Sequence, residues 1–203
     1  MVAVSDHYYS PEPGSKLEKG IIVTVLRGRR YRLVTATGIF SSKRIDNGTR
    51  LLVESMDVPS AGSFLDLGCG NGVIGIVAAS TEPGLKVTLT DVNSRATMIA
   101  GENVARLRLG NVEVLTGDLY QPVGDRKYTT IVSNPPISAG MRKVVEPLVM
   151  GAVDHLEAGG LLQLVVQSNK GGKTLAKFID DYFGEHSVAS KGSGYRVLTA
   201  RKH

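Results

Sequence analysis

Residues 64–75 read FLDLGCGNGVIG: an apolar run broken by one carboxylate, glycines at 68, 70 and 72, then a second apolar run. The pattern predicts a buried strand, a tight turn and a helix. Glycine serves such a turn because it tolerates positive φ and lets backbone N–H groups approach a ligand at the helix N-terminus.

Outward from that turn, apolar strand runs alternate with helical stretches. LKVTLTD (85–91), NVEVLTGD (111–118), YTTIVSN (128–134) and LLQLVVQ (161–167) read as strands after SFLDLG (63–68). Between them lie the helical segments 72–80, 94–110 and 140–160, and a further helix is expected over 172–184. Such alternation means βαβ units and a parallel sheet, an α/β fold. HSVASK (186–191) and YRVLTARK (195–202), joined by Gly-Ser-Gly, read as a terminal hairpin. On the N-terminal side, IDNGTRLLVESMDV (45–58) reads as a linking helix, with Asp46 and Asn47 as candidate caps. IIVTVL (21–26) and RYRLVTAT (30–37) suggest a small antiparallel β appendage, and Pro11, Pro13 and Gly14 an extended arm.

Gly70-x-Gly72-x-x-Gly75 matches a dinucleotide fingerprint, which alone is a weak signal. Two features favour S-adenosylmethionine instead. Asp66, two residues before Gly68, can face a ligand's ammonium group directly or through water, whereas a pyrophosphate would be repelled. Asp91, 19 residues after Gly72, offers two acceptor oxygens to the ribose hydroxyls of either cofactor. The chain has no Tyr-x-x-x-Lys pair and no room for a separate substrate domain, both of which a hydride-transfer reading would need. The cradle is therefore expected to comprise Asp66, Gly68, Cys69, Gly70, Asn71, Gly72, Asp91 and Val92. Asp118 and Leu119, beyond the third strand, are placed for the adenine amine and ring, the alternative for Asp118 being a turn residue.

The fourth strand ends in SNPPI (133–137). Proline cannot donate to a sheet ladder, so Pro135 and Pro136 end the strand in a stiff turn. Next to the glycine loop, Asn134 would sit beside the sulfonium methyl. The Asn134 side-chain oxygen and the Pro135 carbonyl could each accept one N–H of an exocyclic base amine, orienting its nitrogen for in-line attack. The bland alternative is a turn that merely ends a strand.

These motifs together, DLGCGNGVIG, Asp91, GDLY (117–120) and SNPPISAGM (133–141), resemble the small-domain class I methyltransferases related to the bacterial ribosomal RNA guanine-N2 enzymes. TGIFSSKRIDNGTRLLVE (37–54) is similar to the segment preceding the cradle in that family, and HYYS (7–10) to its stand-alone members. The resemblance implies a Rossmann-like fold with a seven-stranded, mostly parallel sheet whose last strand is antiparallel. On that basis residues 1–45 are expected to form the arm and β appendage, and residues 46–203 the methyltransferase domain. It also implies methyl transfer to an exocyclic amine of an RNA base, guanine N2 in ribosomal RNA or a ribosomal particle. Two departures stand out. Family members usually have Phe after the Pro-Pro pair, where Ile137 gives apolar contact without stacking, and an additional inactive half that helps hold RNA has no counterpart here. Two rival readings remain: a protein glutamine N-methyltransferase, whose Asn-Pro-Pro turn is usually followed by Tyr, and a cofactor-binding RNA partner without turnover.

Charge agrees with a polyanionic partner without demanding one: 24 Lys and Arg against 19 Asp and Glu. Residues 27–44 hold Arg27, Arg29, Arg30, Arg32, Lys43 and Arg44 with no acid. That segment reads equally as a solvated hairpin face or as a phosphate-binding patch including Arg29 and Arg30. Tyr8, Tyr9 and Phe40 are candidates to stack on a flipped base, with packing as the alternative for each. Lys170 and Lys173 flank a possible helix start and could take phosphate. GGKT (171–174) lacks the earlier glycine of a P-loop, Gln167 standing there, which argues against ATP. The single cysteine, Cys69, excludes an internal disulfide, and neither it nor the four scattered histidines has metal-ligand spacing. The longest apolar stretch is too short for a membrane span and the N-terminus lacks an export signal, so a cytoplasmic protein without metal is expected.

Overall fold

The computed structural model describes residues 11–203. Strands β1 (Lys19–Leu26) and β2 (Arg29–Ala36) form a two-stranded antiparallel sheet, followed by α1 (Asn47–Ser55). Then come β3 (Gly62–Leu67), α2 (Val73–Thr81), β4 (Leu85–Asp91), α3 (Ser94–Arg106), β5 (Val112–Thr116) and β6 (Tyr128–Ser133). The chain closes with α4 (Glu146–His155), β7 (Leu156–Gln167), α5 (Gly172–Phe183), β8 (Ser187–Gly192) and β9 (Tyr195–Arg201).

The large sheet has seven strands in the order β5-β4-β3-β6-β7-β9-β8. All pairs from β5 to β7 are parallel, while β9 runs antiparallel to both its neighbours. This is the expected Rossmann-like methyltransferase architecture. Buried side chains line both faces, as a parallel sheet covered by helices requires. One face packs Phe64, Val87 and Leu89 under α1 and α2; the other packs Leu65, Ile131 and Leu164 under α4 and α5. The chain runs from β3 outward through β4 to β5, then returns to β6 on the other side of β3. That reversal opens a crevice at the carboxyl ends of the strands.

Local chemistry explains the boundaries. Asp46 caps α1, its carboxylate oxygens accepting from Gly48 N–H and Thr49 N–H at 2.9 Å each. Asn93 caps α3 in the same way. The β1–β2 connection is a two-residue turn, Arg27 (φ 47°) and Gly28 (φ 73°), both left-handed as a type I′ hairpin demands. Two departures from the sequence reading lie in residues 140–160. Met141–Val145 form a wide π-helical turn ahead of α4, because Pro147 has no N–H with which to continue an α-helical ladder from Lys143. The segment LEAGG (156–160) belongs to β7 rather than to the helix, Gly159 taking φ 75° beside an irregularity in the β6–β7 pairing.

The hairpin packs into the core through Ile22, Leu26, Tyr31 and Leu33. Its tip lies at the helix ends remote from the crevice. The Arg27 guanidinium donates to Val53 O (2.7 Å) and to Met56 O, and its backbone N–H to the Glu54 carboxylate, all at the C-terminus of α1. Arg29 donates to Ser80 O at the end of α2. Guanidinium groups there satisfy orphan carbonyls and complement the negative helix end. Arg27→Ala should lower stability by about 1–2 kcal/mol in urea unfolding, with the affinity for S-adenosylmethionine unchanged.

Candidate active site

The crevice is a cavity of about 430 Å³ walled by four strand-end segments: Gly68–Asn71 at the end of β3, Asp91–Val92 at the end of β4, Gly117–Leu119 past β5 and Ser133–Asn134 at the end of β6. Ser41, Asp46 and Thr49 close one side, and Pro136, Ala139 and Lys143 another. Pro11 also reaches the wall, on an arm that Arg95 holds through Pro13 O, Ser15 O and Ser15 Oγ.

The glycine loop is fixed by its own backbone. Gly68 N–H and Cys69 N–H both donate to Thr90 O, at 2.9 and 2.8 Å, and Gly72 N–H to Cys69 O at 2.8 Å. Gly68, Gly70 and Gly72 all have positive φ (76°, 57° and 85°). Their reasons differ. A Cβ at Gly70 would meet nothing within 4 Å, so that position keeps space open on the ligand side, whereas one at Gly72 would press on Ile76, Leu89 and Ala100. Gly75, the third glycine of the fingerprint, is a packing glycine: a Cβ there would lie 2.1 Å from Leu89.

Two acids sit behind this loop. Asp91 receives Gly70 N–H (2.8 Å) on one oxygen and Asn93 N–H (2.9 Å) on the other. Burial pushes its pKa up, and these backbone donors hold it down in part. Asp66 is fully buried and is not part of the cavity wall. One of its oxygens accepts from Gly75 N–H (2.9 Å) and the other has no partner. Burial, reinforced by the charge of Asp91, pushes its pKa up to about 7. Two carboxylates with one orphaned oxygen, beside a cradle that glycine keeps open, fit a cationic ligand such as S-adenosylmethionine and would repel a pyrophosphate. Cys69 lines the cavity, but burial and both acids push its thiol pKa up, which keeps it unreactive.

The structure brings together Gly68, Cys69, Gly70, Asn71, Asp91, Val92, Asp118, Leu119, Asn134, Pro136 and Phe40 around the one cavity. Gly72 shapes the turn from outside the wall. Pro135 is buried, its carbonyl accepting from Ile137 N–H at 2.9 Å. Ile137 is turned towards Gly171 and Met141 and is absent from the wall, as is Lys170. Arg29 and Arg30 are at the hairpin end away from the cavity, and Arg29 is committed to a helix carbonyl. Tyr8 and Tyr9 lie outside the described residues. Sequence reasoning missed Thr49, Lys143 and the second use of Asp46. Asp-x-x-Thr was legible only as a helix cap, because nothing local shows that it faces another strand's tip. Among the described residues, no cluster of His, Cys, Asp or Glu is arranged for a metal ion, and no helix is long and apolar enough to cross a membrane.

Comparison with known proteins agrees with this geometry. Residues 30–199 match the model of the methyltransferase small domain. The uncharacterized protein YbxB of Bacillus subtilis is 35% identical over 98% of this chain and 100% of its own length. Ribosomal RNA small subunit methyltransferase C of Sodalis glossinidius is 36% identical over 82% of this chain and 47% of its own length, and that of Pasteurella multocida 34% identical over 84% and 51%. The chain thus spans about half the length of those two methyltransferases. Among solved structures, the Thermus thermophilus 16S rRNA N2 G1207 methyltransferase in complex with AdoMet and guanosine superposes with a TM-score of 0.82 at 22% identity, covering 94% of this chain and 52% of that one. Cradle, fold and sequence converge: the chain belongs to the methyltransferase small domain family, as an S-adenosylmethionine-dependent methyltransferase related to ribosomal RNA small subunit methyltransferase C.

Proposed function

We propose that the protein methylates an exocyclic amine of an RNA base, guanine N2 in ribosomal RNA. The observation that carries this reading is the position of Asn134. It stands in the cavity wall at the tip of β6, and β6 pairs directly with β3, the strand that ends in the glycine loop. S-adenosylmethionine, when bound, supplies an electrophilic methyl group. Asp91 and the open surface that the glycine loop keeps clear of side chains hold the cofactor, with Asp118 and Leu119 at its adenine end.

The acceptor chemistry falls to Asn134 and Pro135. The lone pair of an exocyclic amine is delocalised into the base, so the nitrogen must be oriented and made more electron-rich to attack. The Asn134 Oδ1 and the Pro135 carbonyl each accept one of its N–H bonds; the bond from Ile137 N–H fixes that carbonyl and leaves its second lone pair. Water takes the proton after transfer. With Ile137 packed on the neighbouring loop, Phe40 is the aromatic in the cavity wall able to stack on the base.

The mouth is basic where the interior is acidic. A Cβ at Gly171 would lie 3.1 Å from both Ile137 and Met141, so the turn carrying Lys170 and Lys173 abuts the turn carrying Arg142 and Lys143. None of these four forms an ion pair among the described residues. They take the phosphates flanking the target nucleotide. Lys143→Glu with Lys170→Glu should lower kcat/KM on RNA by about tenfold or more. The slope of log affinity against log salt should flatten by about one for each phosphate no longer neutralised.

The test is incubation with methyl-labelled S-adenosylmethionine and separate pools of RNA, DNA and release-factor-like protein. Label in RNA as N2-methylguanosine is the expected result. Label in a protein glutamine supports the amide rival, and cofactor binding without label in any pool supports an RNA partner lacking turnover.

A further inference from the structure

Asp46 and Thr49 meet the Asn134 amide across the cavity edge. Asn134 Nδ2 donates to Asp46 Oδ2 and to Thr49 Oγ1, at 2.9 Å each. The Thr49 hydroxyl has one proton, and it goes to Asp46 Oδ2 at 2.7 Å. Towards Asn134 the hydroxyl can therefore only accept, and the carboxylate can only accept as well. The opposite amide orientation would press Oδ1 against two acceptors.

Further donors hold the carboxylate in place: Gly48 N–H and Thr49 N–H at the start of α1. Tyr195, on β9, is near enough for the charge of Asp46 to act on it: burial first, then that charge, pushes its pKa up and keeps the phenol protonated.

We propose that Asp46 and Thr49 are positioning residues that lock the Asn134 amide in one orientation, so that its oxygen alone meets the methyl acceptor. This rests on the reading of Asn134 as the group that receives the amine. The lock has a consequence for selectivity. With both Nδ2 hydrogens spent on α1, Asn134 offers the incoming atom an acceptor and no donor. A group bearing N–H, such as the amino group of guanine, adenine or cytosine or a primary amide, is favoured. A ring nitrogen or carbonyl oxygen, which would need a donor, is refused. The charge-assisted bonds to Nδ2 also draw electron density towards Oδ1 and make it a stronger acceptor. The N-cap of α1 thereby has a second task, which ties the segment before the cradle to the methyl-transfer end of the sheet.

Thr49→Val keeps shape and removes the acceptor, Thr49→Ser restores it, and Asp46→Asn replaces an obligate acceptor by an amide that can flip. On whichever pool accepts label, Thr49→Val and Asp46→Asn should lower kcat about tenfold to a hundredfold with the KM for S-adenosylmethionine little changed, and Thr49→Ser should recover most of it. In the Asn134→Ala background neither change should cost more rate, because the group they position is gone. A second readout needs no turnover: in NMR spectra of the full chain, the Asn134 side-chain NH2 should show slow exchange that is lost in Thr49→Val. Loss of rate in Asn134→Ala alone, with Thr49→Val fully active and its NH2 still protected, overturns the lock and leaves the Asn134 reading standing. Full activity of Asn134→Ala overturns that reading, whereas a Thr49→Val protein with lowered melting temperature and normal kcat makes the contact a helix cap and nothing more.

Discussion

Asn134→Ala should lower the rate of methyl transfer by about 10²–10³-fold, the loss typical of removing one group aimed at charge that develops in a transition state. Affinity for S-adenosylmethionine, measured by calorimetry, should stay within about twofold, since the proposed holders of the cofactor are Asp91 and the glycine loop. As the amine nitrogen attacks, it becomes positive and its hydrogens more acidic; an acceptor already in place then strengthens without reorganising. Asn134→Asp should fare no better, although isosteric. Asn134 Nδ2 stands 2.9 Å from Asp46 Oδ2, and a second carboxylate there would face the first. The aspartate variant should therefore lose stability as well as rate. An alanine variant with weakened cofactor binding would assign Asn134 to the cradle instead.

Asp66→Asn should stabilise the cofactor-free protein at alkaline pH while weakening its hold on S-adenosylmethionine. The Asp66 pKa is raised in the folded state, from 3.8 to about 7. The direction follows from the protons bound. The folded protein keeps a proton that the unfolded chain gives up, so this contribution is fully present below 3.8 and lost as pH rises through about 7. A shift of that size corresponds to on the order of 4 kcal/mol. Asparagine can still accept from Gly75 N–H and carries no charge to bury, so the variant should surpass the parent above about pH 8 by up to that amount and match it below about pH 4. Cofactor affinity should move the other way. In the parent it should rise with pH through about 7, as the charge proposed to attract the ligand's cationic end appears; in the variant it should be lower and flat. Thermal unfolding and calorimetry over that range check both. Unchanged affinity in Asp66→Asn would reduce Asp66 to a brace for Gly75.

The glycine loop shows how far local pattern reaches. An apolar run, a turn that needs positive φ and a second apolar run are recorded in neighbouring residues, so β3, the turn and α2 are legible together, as is the alternation that makes the sheet parallel. The reading failed where two segments with the same local pattern differ in what they meet. Arg29 and Arg30 read equally as a solvated hairpin face or a phosphate patch because charge runs carry no direction; the fold puts them at the hairpin end away from the cavity and commits Arg27 and Arg29 to the carboxyl ends of α1 and α2. Ile137 looked like a base contact because it follows Pro136, yet Gly171, 34 residues later, is what it touches. Asp46 looked like a cap, and is one, but its partner Asn134 is 88 residues away.

By itself, then, the order of residues determined what depends on neighbours along the chain: the strands and helices outside residues 140–160, the cradle with its acid at the end of the next strand, and the stiff amide turn. Only the tertiary structure decided which polar groups are spent on the protein and which remain for a ligand. That assignment requires knowing which distant donors and acceptors come within hydrogen-bonding distance, and folding alone sets those distances.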